Sequence, residues 1–129
     1  MASRKLSGSE SDWISEESNS LKFLRLLKGE TDGPDLSVTL VEIDGAHRKL
    51  RTLNSSRLYV ILEGRFQFTV TPSDGSAASS RTMDASDGEL ILIERGDWYS
   101  LDGTGRYLVI NGPAIAPGDD IYFDELPSD

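Results

Sequence analysis

Two arginines and two tyrosines carry most of the chemistry that this sequence offers, namely Arg51, Arg57, Tyr59 and Tyr99. A guanidinium group is a planar fork of N–H donors that suits a carboxylate or a phosphate. A phenol beside a guanidinium group can act as an acid or a base, because the cation favours the phenolate. The single histidine, His47, is the other group able to exchange protons near neutral pH. These residues predict a site for a small anion or for acid–base chemistry.

The composition excludes several kinds of site and partner. The chain has no cysteine, so it can form no disulfide, thiolate metal site or cysteine nucleophile. Its 129 residues include 22 acidic and 13 basic side chains, a net charge of -9 that repels nucleic acids and anionic membranes. The first residues lack the apolar core of a signal peptide, and no apolar run is long enough to span a membrane. We expect a cytoplasmic protein with no nucleic-acid or membrane partner.

The elements that must position these residues have the pattern of strands. Short runs rich in β-branched and aromatic residues alternate with turn signals, as in a sandwich or barrel. The predicted strands are residues 21–29, 36–43, 58–62, 65–70, 81–83, 90–93, 99–101 and 107–111. The length suits one domain. We therefore predict an all-β domain.

Three stretches depart from this pattern. Residues 1–18 are rich in Ser, Asp, Glu and Lys, which predicts a mobile segment before a single domain at 19–129. The Ser-rich stretch 71–89 predicts a mobile hairpin loop without a chemical role. The last stretch predicts an extended tail in which Ile121, Tyr122 and Phe123 pack back on the barrel.

Two motifs in this order resemble those of a small single-domain cupin, whose fold is a double-stranded β-helix, or jelly-roll barrel. The first cupin motif has a glycine, two histidines, a glutamate and a second glycine, and at those spacings this chain has Gly45, Arg51, Leu53, Arg57 and Gly64. The second motif, matched by "GELILIERGDWYSLDG", has Tyr99 where cupins have a histidine. The resemblance covers roughly residues 36–118 and predicts a jelly-roll barrel.

The resemblance also implies that the metal site of the family is missing. Metal-binding cupins hold a divalent metal in one end of the barrel through the three histidines and the glutamate. A chain with one histidine cannot build that site, and two of its four ligand positions hold arginine. We therefore expect no metal and no other cofactor.

Three functions stay open under this resemblance. The first is a metal-independent cupin that binds a small anionic metabolite through Arg51, Arg57, Tyr59 and Tyr99. The second is a metal-free isomerase or epimerase in which Tyr99 or Tyr59, acidified by the arginines, works with His47. The third is a structural dimerisation module whose barrel is filled by side chains. An open cavity in the barrel would distinguish the first two functions from the third.

Strand alternation adds an expectation about assembly. It places Leu58, Val60 and Leu62 on the face opposite Arg57 and Tyr59. If the arginine row faces the barrel interior, the leucine row is an apolar strip on the outer surface. We therefore expect a homodimer.

Structural roles are an alternative for each of these residues. Arg57 then pairs with an internal acid or extends along the rim with its head in water, as Arg51 can. The acids considered for Arg57 are Glu42, Glu63 and Glu89. Tyr99 is then a core tyrosine and His47 an exposed loop residue. The sequence leaves open whether Arg51 and Arg57 point into the barrel.

Overall fold

Long antiparallel strands make up most of the molecule. The computed structural model describes residues 3–9, 12–73 and 79–127. Its strands are β1 (Ile14–Glu16), β2 (Leu21–Leu27), β3 (Ser37–Thr52), β4 (Ser56–Thr71), β5 (Arg81–Ser86), β6 (Leu90–Ile93), β7 (Trp98–Gly112) and β8 (Asp120–Tyr122). A short helix, α1 (Gly29–Asp32), and 3-10 turns at Glu17–Asn19 and Phe123–Glu125 accompany them. No helix in these described ranges is long and apolar enough to cross a membrane.

Each strand pairing found in the described residues is antiparallel. The main sheet has the order β1-β2-β3-β7-β4-β5, while β6 pairs with β4 and β8 pairs with β3. The register shifts within β3 between His47 and Leu50, and within β4 between Ile61 and Glu63. Such irregularities bend a strand and increase its twist. β4 can therefore pair with β6 through its first half and with β5 through its second half, as in a jelly roll.

Glycine permits the close pairing of β4 and β7 where both strands bend. Gly64 pairs with Gly105, and their φ angles are 108° and 149°. A Cβ atom on Gly105 would lie 2.1 Å from the backbone oxygen of Glu63. No side chain tolerates that approach, so this crossing needs glycine.

Alternate residues of the long strands fill much of the barrel interior. β4 buries Tyr59 and Ile61 before its bend, and Phe66 and Phe68 after it. The ring centres of Tyr59 and Phe68 are 5.0 Å apart in an edge-to-face contact. Burying a side chain of this size contributes roughly 1.5–3 kcal/mol. The inward face of β4 is thus apolar and aromatic except at Arg57.

The structure confirms the all-β jelly-roll prediction and lengthens its strands. The runs 58–62 and 65–70 belong to one strand, β4, and the runs 99–101 and 107–111 belong to one strand, β7. The glycines that indicated breaks are instead places where paired strands bend together. The predicted strand at 81–83 continues to Ser86.

The two end segments pair with the barrel. β1 pairs with residues 21–23 of β2, so an ordered strand begins inside the stretch 1–18 that was predicted to be mobile. β8 pairs with residues 50–52 of β3, where the tail was predicted to pack. Residues 1–2, 10–11 and 128–129 of these stretches lie outside the described residues, as do residues 74–78 of the predicted hairpin loop.

Candidate functional site

A cavity of about 190 Å³ lies inside the barrel and is lined by ionisable side chains from six strands. His47, Arg57 and Tyr59 line it from β3 and β4. β1 and β8 contribute Glu16, Asp120 and Tyr122. An open cavity was the feature expected to distinguish the two ligand-binding functions from a purely structural module, and it favours those two functions.

Two larger depressions lie on the outer surface. One of about 790 Å³ runs along β4 and β5, and one of about 610 Å³ lies across β2, β3 and β7. The charged residues of the second depression satisfy each other, since Glu42 accepts ion pairs from Lys22 and Arg106 at 3.2 Å each. Neither depression has a buried polar group in its lining. The interior cavity is therefore the candidate site.

Arg57 lies in the cavity wall with only 7% of its side chain exposed. Nε donates to Asn111 Oδ1 at 2.6 Å, and Nη1 donates to the Tyr99 hydroxyl at 2.8 Å. Nη2 donates to Asp120 Oδ1 at 2.8 Å. The acid that balances Arg57 thus comes from β8. The acids considered from the sequence contact other groups: Glu42 and Glu63 pair with Arg106, and Glu89 accepts from Ser86.

The surroundings of Arg57 keep its guanidinium group charged. Burial acts to lower the pKa of Arg57, but the oxygens of Tyr99 and Tyr59 and the Asp120 carboxylate raise that pKa well above its ordinary value. Asp120 Oδ1 also accepts a hydrogen bond from Thr52 Oγ1 at 2.7 Å. A permanent cation beside a held carboxylate forms a balanced pair.

Two hydrogen-bonded hydroxyl groups, of Tyr99 and Tyr59, connect Arg57 to the cavity. The Tyr99 hydroxyl accepts from Arg57 and lies 2.6 Å from the Tyr59 hydroxyl. Tyr99 is 1% exposed and its oxygen has no other hydrogen-bond partner among the described residues. Either hydroxyl can donate in this contact, so one of the two phenolic protons has no protein acceptor among the described residues. Tyr59 is the phenol that lines the cavity, and when Tyr99 donates to it the proton of Tyr59 is available to a molecule in the cavity.

The phenols of Tyr59 and Tyr99 both remain protonated near neutral pH. Burial raises the pKa of Tyr59 well above its ordinary value and raises the pKa of Tyr99 too, while Arg57 acts in the opposite direction. A neighbouring arginine was expected to lower the pKa of these tyrosines, but the increase in pKa caused by burial is larger. Tyr59 can therefore donate a hydrogen bond, but it is not a base.

His47 provides a base in the same cavity. Its Nδ1 lies 2.8 Å from the backbone oxygen of Arg48. A carbonyl only accepts, so Nδ1 carries the proton and Nε2 has a free lone pair, with no hydrogen-bond partner in the described ranges. Burial lowers the pKa of His47 from 6.5, outweighing the carboxylates of Glu16 and Asp120, which raise it. The imidazole is uncharged at neutral pH.

One side of the cavity, the β1–β8 wall, is formed by Glu16, Asp120 and Tyr122, and Asn19 of the turn after β1 bonds two of them. Asn19 is fully buried and donates to the Glu16 carboxylate and to the Tyr122 hydroxyl, the latter at 3.0 Å. Its side-chain oxygen accepts from the backbone N–H of Arg48 at 2.9 Å. Asn19 therefore ties β1 and β8 to each other and to β3.

The structure brings three of the sequence candidates to the cavity. Arg57, Tyr59 and His47 line it, the last from within β3 and not from an exposed loop. Tyr99 lies behind Tyr59 as the middle member of the hydroxyl chain. Arg51 lies apart from them: its guanidinium carbon is 4.7 Å from the ring centre of Trp98.

Strand alternation explains the position of Arg51. Leu50 and Thr52 on either side of it are buried, so Arg51 faces outward from β3. Its Nε is buried without a hydrogen-bond partner among the described residues. The stacking of its guanidinium group on Trp98 is a cation–π contact.

Sequence reasoning missed Glu16, Asn19, Asn111, Asp120 and Tyr122. Glu16 and Asn19 belong to a stretch whose composition resembles a mobile segment. One signal was present for Asp120: a buried arginine needs a counter-charge, and the tail expected to pack on the barrel contains an acid directly before its apolar residues.

The residues at the cupin metal positions do not fit a metal ion. Arg51 and Arg57 are cations, Leu53 is 45% exposed, and the Tyr99 hydroxyl already bonds Arg57 and Tyr59. Within the described ranges no group of three or more His, Cys, Asp or Glu side chains could hold a metal. The cupin ligand positions of this chain therefore do not reproduce the metal site of the family.

Solved cupin structures are similar to this chain over most of its length. Pac13 of Streptomyces, a nucleoside dehydratase, gives a TM-score of 0.72 at 16% identity, over 94% of this chain and 91% of that one. KdgF from Halomonas gives 0.70 at 13%, over 88% and 96% of the two chains. Oxalate decarboxylase of Bacillus subtilis gives 0.77 at 14%, over 98% of this chain and 35% of that one.

These similarities define the class of the molecule. The chain has the cupin fold, in a small barrel of the kind that its two motifs predict. No protein-family model and no curated protein matches the chain. Its activity must therefore be argued from its own cavity.

Proposed function

We propose that this chain is a metal-independent cupin that binds a small polar molecule in the barrel cavity and moves a proton on it. One observation carries the proposal. The same cavity contains an uncharged imidazole with a free Nε2, on His47, and a phenolic hydroxyl, on Tyr59, that can donate to a bound molecule when Tyr99 donates to it. A base and a hydrogen-bond donor in one pocket are the minimum for acid–base catalysis.

The two groups suit removal of a proton from a carbon next to a carbonyl group. His47 Nε2 takes the proton and becomes an imidazolium, while the electron pair of the C–H bond moves to the carbonyl oxygen. The Tyr59 hydroxyl donates a hydrogen bond to the oxyanion that forms. Return of the proton gives an isomer or epimer. Departure of a hydroxide from the neighbouring carbon, protonated to water by the imidazolium, gives a dehydrated product.

Charge favours an uncharged ligand over an anion. Arg57 is paired with Asp120, and Arg25, which also lines the cavity, is paired with Glu30 at 2.7 Å. Glu16 adds a further carboxylate. While Asp120 is in place, an entering anion meets no unbalanced cation, so the anionic metabolite expected from the sequence is the less favoured ligand.

A protein of the same fold supports this class of reaction. Pac13 is a nucleoside dehydratase, and structures with uridine exist for variants in which one histidine or one of two tyrosines is replaced. The cavity of this chain also combines one histidine with tyrosines. Uncharged substrates with carbonyl and hydroxyl groups are therefore the first to examine.

A two-stage experiment tests the proposal. Thermal-shift measurements with uridine, neutral monosaccharides and small carboxylates come first, since a ligand that binds only the folded state raises the melting temperature. We expect stabilisation by an uncharged compound. Proton NMR in D₂O is then recorded on that compound, or on its aldehyde or ketone form. Loss of the signal of the C–H proton next to the carbonyl group measures its exchange for deuterium.

Two variants separate the roles of the residues. His47→Gln should bind the stabilising compound and lose deuterium exchange, while Tyr59→Phe should weaken both binding and exchange. Exchange that persists at the wild-type rate in His47→Gln would contradict the role of His47 as the base.

Binding without turnover is the second candidate function. The hydroxyl chain from Arg57 would present the Tyr59 proton to any acceptor oxygen, whether or not a reaction follows. A compound that stabilises wild type, loses this effect in Tyr59→Phe and never exchanges a proton would support a binding protein.

A further inference from the structure

We propose that Arg57 is the centre of an anion-binding site that the chain itself occupies with the Asp120 carboxylate, and that a small carboxylate ligand takes this site when β8 leaves. The inference does not depend on the catalytic role of His47. It concerns the pairing of a cation held by the barrel with an acid held by an end strand.

The barrel holds the guanidinium group without help from β8. Nε and Nη1 are bonded to Asn111 and Tyr99, which are 2% and 1% exposed. Asn111 is held in turn by Ser37, to whose hydroxyl oxygen it donates at 3.3 Å. Asn111 and Tyr99 belong to β7 and Ser37 belongs to β3, so none of these contacts involves β8. Arg57 therefore keeps its position when Asp120 departs. The site for an anion is preformed.

The strand that carries Asp120 is a short end strand, held by its pairing with β3, by the Asn19–Tyr122 hydrogen bond and by the stacking of Arg48 on Tyr122. β8 has 3 residues and makes three residue pairs with β3. The turn after it is fastened by ion pairs from Arg48 to Asp124 and Glu125, whose side chains are 55% and 62% exposed. Exposed ion pairs contribute little to stability. A three-residue end strand that is only half-buried is expected to open locally before the buried strands of the barrel do.

Loss of Asp120 leaves a buried cation without a counter-charge, and this sets the chemistry of the replacement. Asp120 Oδ1 receives two hydrogen bonds, from Arg57 Nη2 at 2.8 Å and from Thr52 Oγ1 at 2.7 Å. Both donors stay on the barrel. A monocarboxylate reproduces the group that has left, with the same charge and the same acceptor atoms.

Chemical rescue tests the site. Asp120→Ala removes the carboxylate and leaves space for formate as the probe. We expect a lowered melting temperature that formate restores in proportion to the logarithm of its concentration, while chloride at equal ionic strength does not. Should this variant fail to fold alone, recovery of folded protein on refolding in formate is the equivalent result.

Two control variants make the result specific. Asp119→Ala removes a neighbouring acid that bonds Asn54 on the surface, and formate should not affect it. The double variant Arg57→Gln with Asp120→Ala lacks both charges and should also be insensitive to formate. Equal effects of formate and chloride on Asp120→Ala, or rescue of the double variant by formate, would overturn the proposal.

The wild-type protein gives the second arm of the test. If formate competes with Asp120 for Arg57, amide hydrogen exchange at residues 120–122 should become faster as formate is added, and chloride should not have this effect. Unchanged exchange in formate would show that the pair is a fixed structural salt bridge, and the proposal would fail.

Discussion

At the scale of single residues, Arg57 replaces a metal-binding carboxylate with a cation, and the cavity is organised around that change. Its three side-chain hydrogen bonds join β4 to β7 and β8. We expect the purified protein to contain no stoichiometric iron, manganese or zinc, because the cupin ligand positions hold two cations, a leucine and a bonded phenol. Elemental analysis of protein purified without chelators checks this, and about one metal ion per chain would contradict it.

Removal of Arg57 should destabilise the fold. Arg57→Ala leaves the Asp120 carboxylate, whose side chain is 33% exposed, and the Asn111 amide without their partner. Breaking a buried pair costs about 3 kcal/mol, less where one member reaches water. Denaturant unfolding of wild type, Arg57→Ala, Asp120→Asn and the double variant measures the coupling. Additive losses in this cycle would mean that the pair contributes nothing as a pair.

The lowered pKa of His47 predicts a pH dependence of stability. The unfolded chain binds a proton at His47 more tightly than the folded chain does, since the folded pKa lies below 6.5. The free energy of unfolding should therefore fall as the pH drops through 6.5 and level off below the folded pKa. Urea unfolding between about pH 5 and 8 should show this fall in wild type and a smaller one in His47→Gln. Identical slopes in the two proteins would refute the assignment.

Sequence patterns anticipated part of this site and not the rest. Arg57 and Tyr59 were identified because they stand in a known motif frame and alternation puts them on one face of a strand, although the sequence left open whether that face is the barrel interior. The partner of Arg57 was not, because Asp120 is distant in sequence and no pattern encodes which strand a tail will join. The protonation of the tyrosines also depends on burial, which neighbouring residue types do not reveal.

At the scale of elements, the bends of β4 and β7 determine the shape of the barrel. Alternation and turn residues predicted where strands lie, but the glycines inside them resemble breaks until the partner strand is known. Gly64 and Gly105 face each other, so each permits the close approach of the other. The lengths of these strands could be learned only from their pairing.

A substitution at this bend should be costly. In Gly105→Ala the new Cβ would lie 2.1 Å from a backbone oxygen, at a residue with φ of 149°. We expect a loss of roughly 2–3 kcal/mol or failure to fold. Gly88→Ala is the matched control, because Gly88 has φ of 82° but nothing within 4 Å of an added Cβ. Thermal unfolding that affects both variants equally would show that the close crossing is unimportant.

At the scale of the whole molecule, an apolar outer face is the main feature outside the cavity. Two rows of side chains cross β6, β4, β7 and β3 without a charged residue between them. The rows are Leu92, Leu58, Ile110 and Val38, and Leu90, Val60, Leu108 and Leu40. Leu90 and Leu92 are 57% and 59% exposed. Patches of this kind are frequently interaction surfaces.

We propose that this face joins two copies of the chain, as expected from the outer row of β4. Light scattering during gel filtration should give twice the monomer mass. Leu92→Glu should produce monomers, because two added carboxylates would face each other in a symmetric interface. Thr69→Glu, an exposed change on the other half of β4, should leave the mass unchanged. A monomeric wild type at high concentration would contradict the proposal.

The hydrogen bond between Asn19 and Tyr122 joins residues 103 positions apart, and this separation has a consequence for the order of synthesis. A nascent chain still lacking β8 already contains every strand of the main sheet, so its barrel can begin to assemble while Arg57 has no acid beside it and His47 has no aromatic neighbour from β8. The binding pocket is therefore completed after the scaffold. Chains truncated before residue 120 and released from the ribosome should form the main sheet without a finished pocket, because β8 adds the last wall of the cavity.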